Sequence, residues 1–279
     1  MSKNLILIEC NDKVGLVALI SEILANHQLN ITGMREFVDE VTATFFTRIE
    51  CQGETFEIAE LQEELSISLP SNSVIRINPK QEKSLAILVT KEYHCLGDTL
   101  TRHFFNTLNA QVCCVIGNHD VLEEFTKKFS IPFHCVSHLD KSHEDFEAEI
   151  ATILDSYRPD FIVLAKFMRI LSSNFVKKFE GRIINIHHSF LPAFIGASPY
   201  KQAHERGVKI IGATAHFVTN VLDEGPIISQ QIIPVNHTFT IKDMVIAGKE
   251  IEKAVLSKAL QLVLQDRVFV TGNKTILFE

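Results

Sequence analysis

The chain has 279 residues, 46% hydrophobic and 22% charged, with 12 Gly and 8 Pro, which excludes a disordered or collagen-like polypeptide and predicts one large domain with a smaller companion. Its net charge of −7, without any Lys/Arg-rich run, offers no basic field to a phosphate backbone, so no nucleic-acid partner is expected. The opening MSKNLILIECNDK is too short an apolar run for a signal peptide and no later stretch reaches the ~18 apolar residues of a span, so a cytoplasmic protein with no membrane contact is expected.

Residues 4 to 8 read as a strand. CNDKVG turns the chain into an amphipathic helix carrying Leu16, Val17, Ile20, Ile23 and Leu24 and ending near His27. Strand-like runs at about 30 to 38 and 42 to 51 are separated by a turn at Asp39 and Glu40. A helix with Ile58, Leu61 and Leu65 on one face then leads to a strand at Val74 to Ile77. The order βαββαβ is that of a ferredoxin-like domain, 1–80. The run from Pro79 to Lys83 breaks the apolar pattern, and residues 81–83 are taken as the linker to a second domain, 84–279.

In the second domain LAILV (85 to 89), VCCVI (112 to 116) and FIVLA (161 to 165) are apolar on both faces, as strands of a helix-covered, mostly parallel, Rossmann-like sheet are. RIINIHH (182 to 188) and IIGATAHFV (210 to 218) supply further strands. Ser198 with Pro199 marks a helix start that Gly207 ends, and Thr240 with Asp243 forms a capping box for a helix to about Leu264. The last residues form a hairpin turning at Gly272 and Asn273. The six cysteines (Cys10, Cys51, Cys95, Cys113, Cys114, Cys135) contain no CxxC and sit mostly in apolar runs, so reduced, buried thiols are expected.

Strand residues two apart share a face, so Asn185 and His187 project together at the carboxyl end of their strand, where open α/β sheets place ligands. An amide donor and an imidazole suit a carbonyl oxygen that gains charge; alone, they also suit the plain task of satisfying loop backbone. Asp223, in VLDEGP, is a carboxylate in a tight turn placed to orient His187 or take a proton from water, and equally an ordinary turn former. His187 and His188, adjacent in a strand, point apart. HExxH is absent and no HxH is backed by a second cluster, so no metal is expected. GNHD, residues 117 to 120, reads as a turn at a strand end.

The segment NIHHSFLPAFIGASPYKQAHERGVKIIGATAHFVTNVLDEGPIISQ resembles the signature of the folate-dependent formyl transferase family, NIHxSxLP followed by spaced HxV and DxGxI elements. From about residue 84 the chain is similar to the formyl-transfer fold, and the first 80 residues are similar to an ACT domain. Within the family the whole chain resembles the hydrolytic members. The resemblance implies hydrolysis of 10-formyltetrahydrofolate to formate and tetrahydrofolate, feeding one-carbon and purine metabolism, with a folate substrate and no cofactor. It assigns catalysis to Asn185, His187 and Asp223. It maps the pterin pocket onto Met168, Arg169, Ile170, Leu171, Phe175 and Val176, and onto Val218, Thr219 and Asn220. For the ACT domain it implies a homo-oligomer and an amino-acid effector near Asp12, Gly15 and Asn30.

Relatives that formylate glycinamide ribonucleotide carry a Gly/Ser-rich first loop whose amides bind phosphate. Here that loop, VTKEYHCLGD (89 to 98), has one glycine and the acidic Glu92 and Asp98, which fits water as the acceptor. Two other readings stay open: a transferase with an amine acceptor, and a folate or amino-acid sensor without turnover.

Overall fold

The computed structural model describes residues 2–53, 56–192 and 199–279 and divides into two units, Met1–Gln81 with Ile276–Glu279, and Glu82–Thr275. In the first, alternation sets the faces. Along β1 (Ser2–Asn11), Ile6, Ile8 and Cys10 point one way and are buried against Leu16, Ile20, Ile23 and Leu24 of α1 (Leu16–Asn26). β2 (Asn30–Asp39) and β3 (Thr44–Gly53) follow, and α2 (Ile58–Ser68) adds Leu61 and Leu65 to the same core before β4 (Val74–Ile77). The sheet order is β2-β3-β1-β4, antiparallel throughout. Gly15 caps α1 at φ 91, a left-handed conformation that glycine tolerates without strain, and no side chain caps this helix.

The second unit opens with β5 (Lys83–Val89), α3 (His94–Phe104) and β6 (Ala110–Gly117). α4 (Glu123–Lys127), β7 (Phe133–Cys135), α5 (His143–Tyr157), β8 (Phe161–Leu164), α6 (Ser173–Lys178) and β9 (Ile183–His187) continue it. Then come α7 (Pro199–Arg206), β10 (Ile210–Phe217), β11 (Ile227–Pro234), α8 (Ile241–Leu264) and the hairpin β12 (Val268–Thr271) and β13 (Lys274–Leu277). The seven strands run β11-β10-β9-β8-β5-β6-β7, with β7 to β9 parallel and β10 antiparallel to both its neighbours. Leu85, Ile87 and Val89 pack with Ile251, Val255 and Leu256 of α8, while Ala86 and Leu88 pack with Phe146 and Ile150 of α5. Burial on both faces explains the continuous apolar runs. From β5 the chain builds outward to β7, then returns to β5's other side with β8. The topological switch point therefore lies between the carboxyl ends of β5 and β8.

Four readings change. The stretch 89 to 98 is not one loop, because α3 begins at His94 and leaves only Thr90–Tyr93 as the connection. Lys83 is strand rather than linker: it opens β5, is 6% exposed, and pairs with Asp266 at 2.5 Å. Residues 276 to 279 group with the first unit instead of the second. β9 ends at His187, so the rings of His187 and His188 lie 5.1 Å apart rather than pointing away from each other. Ser198, expected to start α7, lies outside the described residues; Gly207 does end that helix, at φ 65. Among the described residues no helix is long and apolar enough to cross a membrane.

Candidate active site

The site grows from the pairing of β9 with β10. Ile184 and Ile186 turn into the core beneath α8, which sends Asn185 and His187 to the opposite face. The antiparallel register sets His216 across from Asn185. His216 donates from Nδ1 to the Phe217 carbonyl at 2.9 Å, so its Nε2 is bare and accepts from Asn185 Nδ2 at 3.3 Å. Burial pushes the His216 ring below the ordinary histidine range and keeps it neutral for that purpose. Asn185 is thus held with one amide hydrogen engaged and the other free to point outward.

The β10–β11 connection brings in the carboxylate. Phe217 N–H donates to the Pro226 carbonyl at 2.9 Å, and a side chain at Gly225 would sit 1.8 Å from the Phe217 oxygen, so glycine permits this closure. Asp223, at φ 58, turns back and sets Oδ1 3.3 Å from His187 Nδ1 and 3.8 Å from His216 Nε2. Burial pushes its carboxyl up, but the His187 contact and the imidazoles of His216 and His188 outweigh that and hold it below the ordinary aspartate range. His187 is 7% exposed, and its Nε2 is buried without a partner among the described residues. An imidazole braced at Nδ1 and open at Nε2 is ready to donate a proton to a substrate atom. His188 is neutral, pushed down to about 4 by burial and by the Lys166 ammonium.

The expected pterin residues fall into two groups. Met168, Arg169, Ile170 and Asn220 are exposed, while Leu171, Val218 and Thr219 are half-buried. Met168 N–H donates to Thr90 Oγ1 at 2.9 Å, and Ile170's carbonyl accepts from His143 at 3.0 Å. Phe175 and Val176 are buried, and Phe175 belongs to the core cluster against which Leu171 and Val218 both pack. Phe175 and Val176 therefore present no open surface to a ligand. Val221 and Leu222, 55% and 54% exposed, were not anticipated; as apolar groups left in water beside Asp223, they extend the apolar surface available to a flat ligand. In the GNHD turn Asn118 is buried and meets His138 at 3.4 Å.

Sequence reasoning also missed His216 as a site residue, although its offset from Asp223 was visible in the motif, and a buried polar cluster beside the site. Glu252 of α8 receives His94 Nε2 at 2.8 Å, Lys166 Nζ at 3.2 Å and the Tyr200 hydroxyl at 2.7 Å. His94, Cys95 and Glu252 present donor atoms within 4.8 Å of one another. Burial pushes the Cys95 thiol up and Lys166 already supplies the cationic charge, so this group does not suit a metal.

In the first unit Asp12, Gly15 and Asn30 are exposed and do not converge within one chain. Asn30 pairs with Gln52, which pairs with Lys3 at the start of β1, whereas Asp12 follows the end of β1. The crossover through α1 returns the chain to the far end of the sheet.

Residues 83–260 match the family described as formyl transferase, and residues 4–66 match the ACT domain. The chain is 51% identical over 277 residues to a formyltetrahydrofolate deformylase of Haemophilus influenzae, covering 99% of each. It is 52% identical over 268 residues to that of Escherichia coli K12, covering 96% of this chain and 95% of the relative. The crystal structure of a formyltetrahydrofolate deformylase from Pseudomonas syringae superposes with a TM-score of 0.93 at 37% identity, covering 99% of this chain and 94% of the other.

Proposed function

The chain belongs to the formyl transferase family and, within it, to the formyltetrahydrofolate deformylases; it hydrolyses 10-formyltetrahydrofolate to formate and tetrahydrofolate, and we propose that Asp223, His187 and Asn185 carry the reaction. The observation that supports these roles most directly is the buried, unpartnered His187 Nε2 backed at Nδ1 by Asp223. Water attacks the formyl carbon as Asp223 takes its proton. Asn185 Nδ2 and His187 Nε2 donate to the oxygen that gains charge. The C–N10 bond breaks as N10 receives the proton of His187, because an aryl amine leaves readily only when protonated. Formate and tetrahydrofolate result, and the proton on Asp223 returns to His187. Water and these three side chains suffice for every step, without a cofactor. The Met168–Leu171 backbone and the 218–222 loop hold the pterin, and the enzyme works in the cytoplasm.

The ACT unit is read as an amino-acid-binding module. Because Asp12 and Gly15 lie at one end of its sheet and Asn30 at the other, one small ligand meets both sets only where two copies join, which makes a homo-oligomer part of this reading. Formate release from 10-formyltetrahydrofolate by the full chain, measured with and without glycine or methionine and alongside sedimentation, tests both parts. Turnover that requires an added amine acceptor refutes hydrolysis. A monomer that is indifferent to amino acids refutes the regulatory reading.

A further inference from the structure

Resting on the hydrolytic reading above, we propose that His94, Lys166, Tyr200 and Glu252 are specificity-determining residues: together they fill the crevice at the sheet's switch point, so that water alone reaches the formyl carbon as acceptor.

An open α/β sheet offers its ligand crevice between the carboxyl ends of the strands where strand order reverses, here β5 and β8. Both lips of that crevice turn inward. From the β5 side, α3 begins after only four connecting residues, and His94, its first residue, is 5% exposed. From the β8 side, Lys166 adopts φ 63, a left-handed conformation uncommon for lysine, and is 9% exposed. The two side chains meet on the Glu252 carboxylate, 1% exposed. Tyr200 completes it from α7, and its ring lies so close to α8 that a side chain at Gly248, one turn before Glu252, would sit 2.0 Å from its hydroxyl. Across the same gap Met168 N–H bonds Thr90 Oγ1. Three groups, from α3, the end of β8 and α7, thus converge on one buried carboxylate of α8 at the place where a sheet of this topology leaves room.

The cluster lies one imidazole from the chemistry. The His188 ring is 5.1 Å from that of His187 and 6.2 Å from that of Tyr200. Any acceptor larger than water, approaching past His188, must displace the Tyr200 ring or separate paired buried charges, and an uncompensated buried charge is costly. Water needs no such room. Formyl transfer to an amine is chemically parallel: the amine nitrogen bonds to the formyl carbon and yields a proton to Asp223, while N10 leaves with the proton of His187. Exclusion, not reactivity, therefore makes the outcome hydrolytic.

The test follows the partition of the formyl group in the full-length enzyme supplied with 10-formyltetrahydrofolate and glycinamide or ethanolamine. The wild type should yield formate at every amine concentration. Tyr200→Ala and His94→Gly, each confirmed folded by thermal melting, should yield N-formyl amine at about tenfold or more above the wild-type assay background, relative to formate. Tyr200→Phe, which retains the ring, should hold the wild-type partition whatever its rate. A purely structural role would lower both products together and leave the ratio fixed. Folded, opened variants that still give formate alone overturn the proposal, as does a wild type that formylates glycinamide. Should both truncations unfold, the wild-type series decides, because formate-only turnover at saturating glycinamide supports exclusion and any formylated product refutes it. A wild type releasing no formate at all fails the hydrolytic reading itself, a distinguishable result.

Discussion

Replacing Asp223 by asparagine isolates the carboxylate's chemistry from its geometry. The backbone at φ 58 suits Asn as well as Asp, whereas alanine there would add strain of about 1–3 kcal/mol and blur the result. The amide retains an oxygen able to accept from His187 Nδ1 at the 3.3 Å separation, so the imidazole should stay oriented. Two things are lost. Removing a general base costs ~10²- to 10⁴-fold. The charge 3.3 Å from the His187 ring is also removed; its gross attraction to a protonated ring is about 5 kcal/mol at an effective dielectric of 20, most of it offset by desolvation. Together they should lower kcat by about 10³- to 10⁴-fold, roughly 4 to 5.5 kcal/mol of transition-state stabilisation, with folate affinity nearly unchanged. Formate release under saturating substrate gives kcat, and folate titration gives affinity. The acid limb of the pH–rate profile supplies an independent check. As the proposed base, Asp223 works only when ionised, and it is held below the ordinary aspartate range, so wild-type activity should persist to low pH and fall as pH drops through that lowered value. His187→Gln removes the largest opposing influence, leaves burial to raise the carboxyl, and should move the residual activity's acid limb upward. A folded Asp223→Asn enzyme within tenfold of wild-type kcat would show that the carboxylate takes no proton in the rate-limiting step.

Asn185→Ala, which deletes the donor proposed for the oxyanion, should cost about 2.7–4 kcal/mol in kcat, and near wild-type turnover would remove Asn185 from the mechanism. His216→Ala frees the Asn185 amide held at 3.3 Å and should lower kcat while sparing KM; unchanged kinetics would mean that Asn185 needs no such anchor. Glu252, where burial is outweighed by His94, Lys166 and Tyr200, is held at about 2 against an ordinary 4.5. Its depressed pKa contributes stability that is present above the ordinary value and lost as pH falls through the folded one. Between pH 5 and pH 2 the wild type should therefore lose about 3 kcal/mol more than Glu252→Gln in urea unfolding; parallel losses would refute the assignment. Lys83→Met removes the buried lysine that pairs with Asp266 at 2.5 Å, and a destabilisation of about 1.5–3 kcal/mol is expected from the lost charged hydrogen bond; an unaltered melting temperature would count against that pair.

The local order of this protein is legible residue by residue because covalent geometry sets its periods. Ile6, Ile8 and Cys10 alternate into a core, Thr240 and Asp243 form the expected capping box, and Asn185 and His187 share a face because a strand repeats every two residues. The start of α3 at His94 was not legible, since Tyr93 provides no side-chain cap bond and Gly97 reads as loop. What the tertiary structure alone decided is which distant residues meet. Strand neighbours are chosen by the whole sheet, so His216 reaches Asn185 only through the β9–β10 register, and the fold of the 218–226 loop converts a turn-forming Asp223 into the partner of His187. Glu252 lies 158 residues from His94, and no local pattern announces that pairing. Asp12 and Asn30 make the same point in reverse: 18 residues apart in sequence, they occupy opposite ends of one sheet, because a helical crossover between parallel strands carries the chain back to the end where it began.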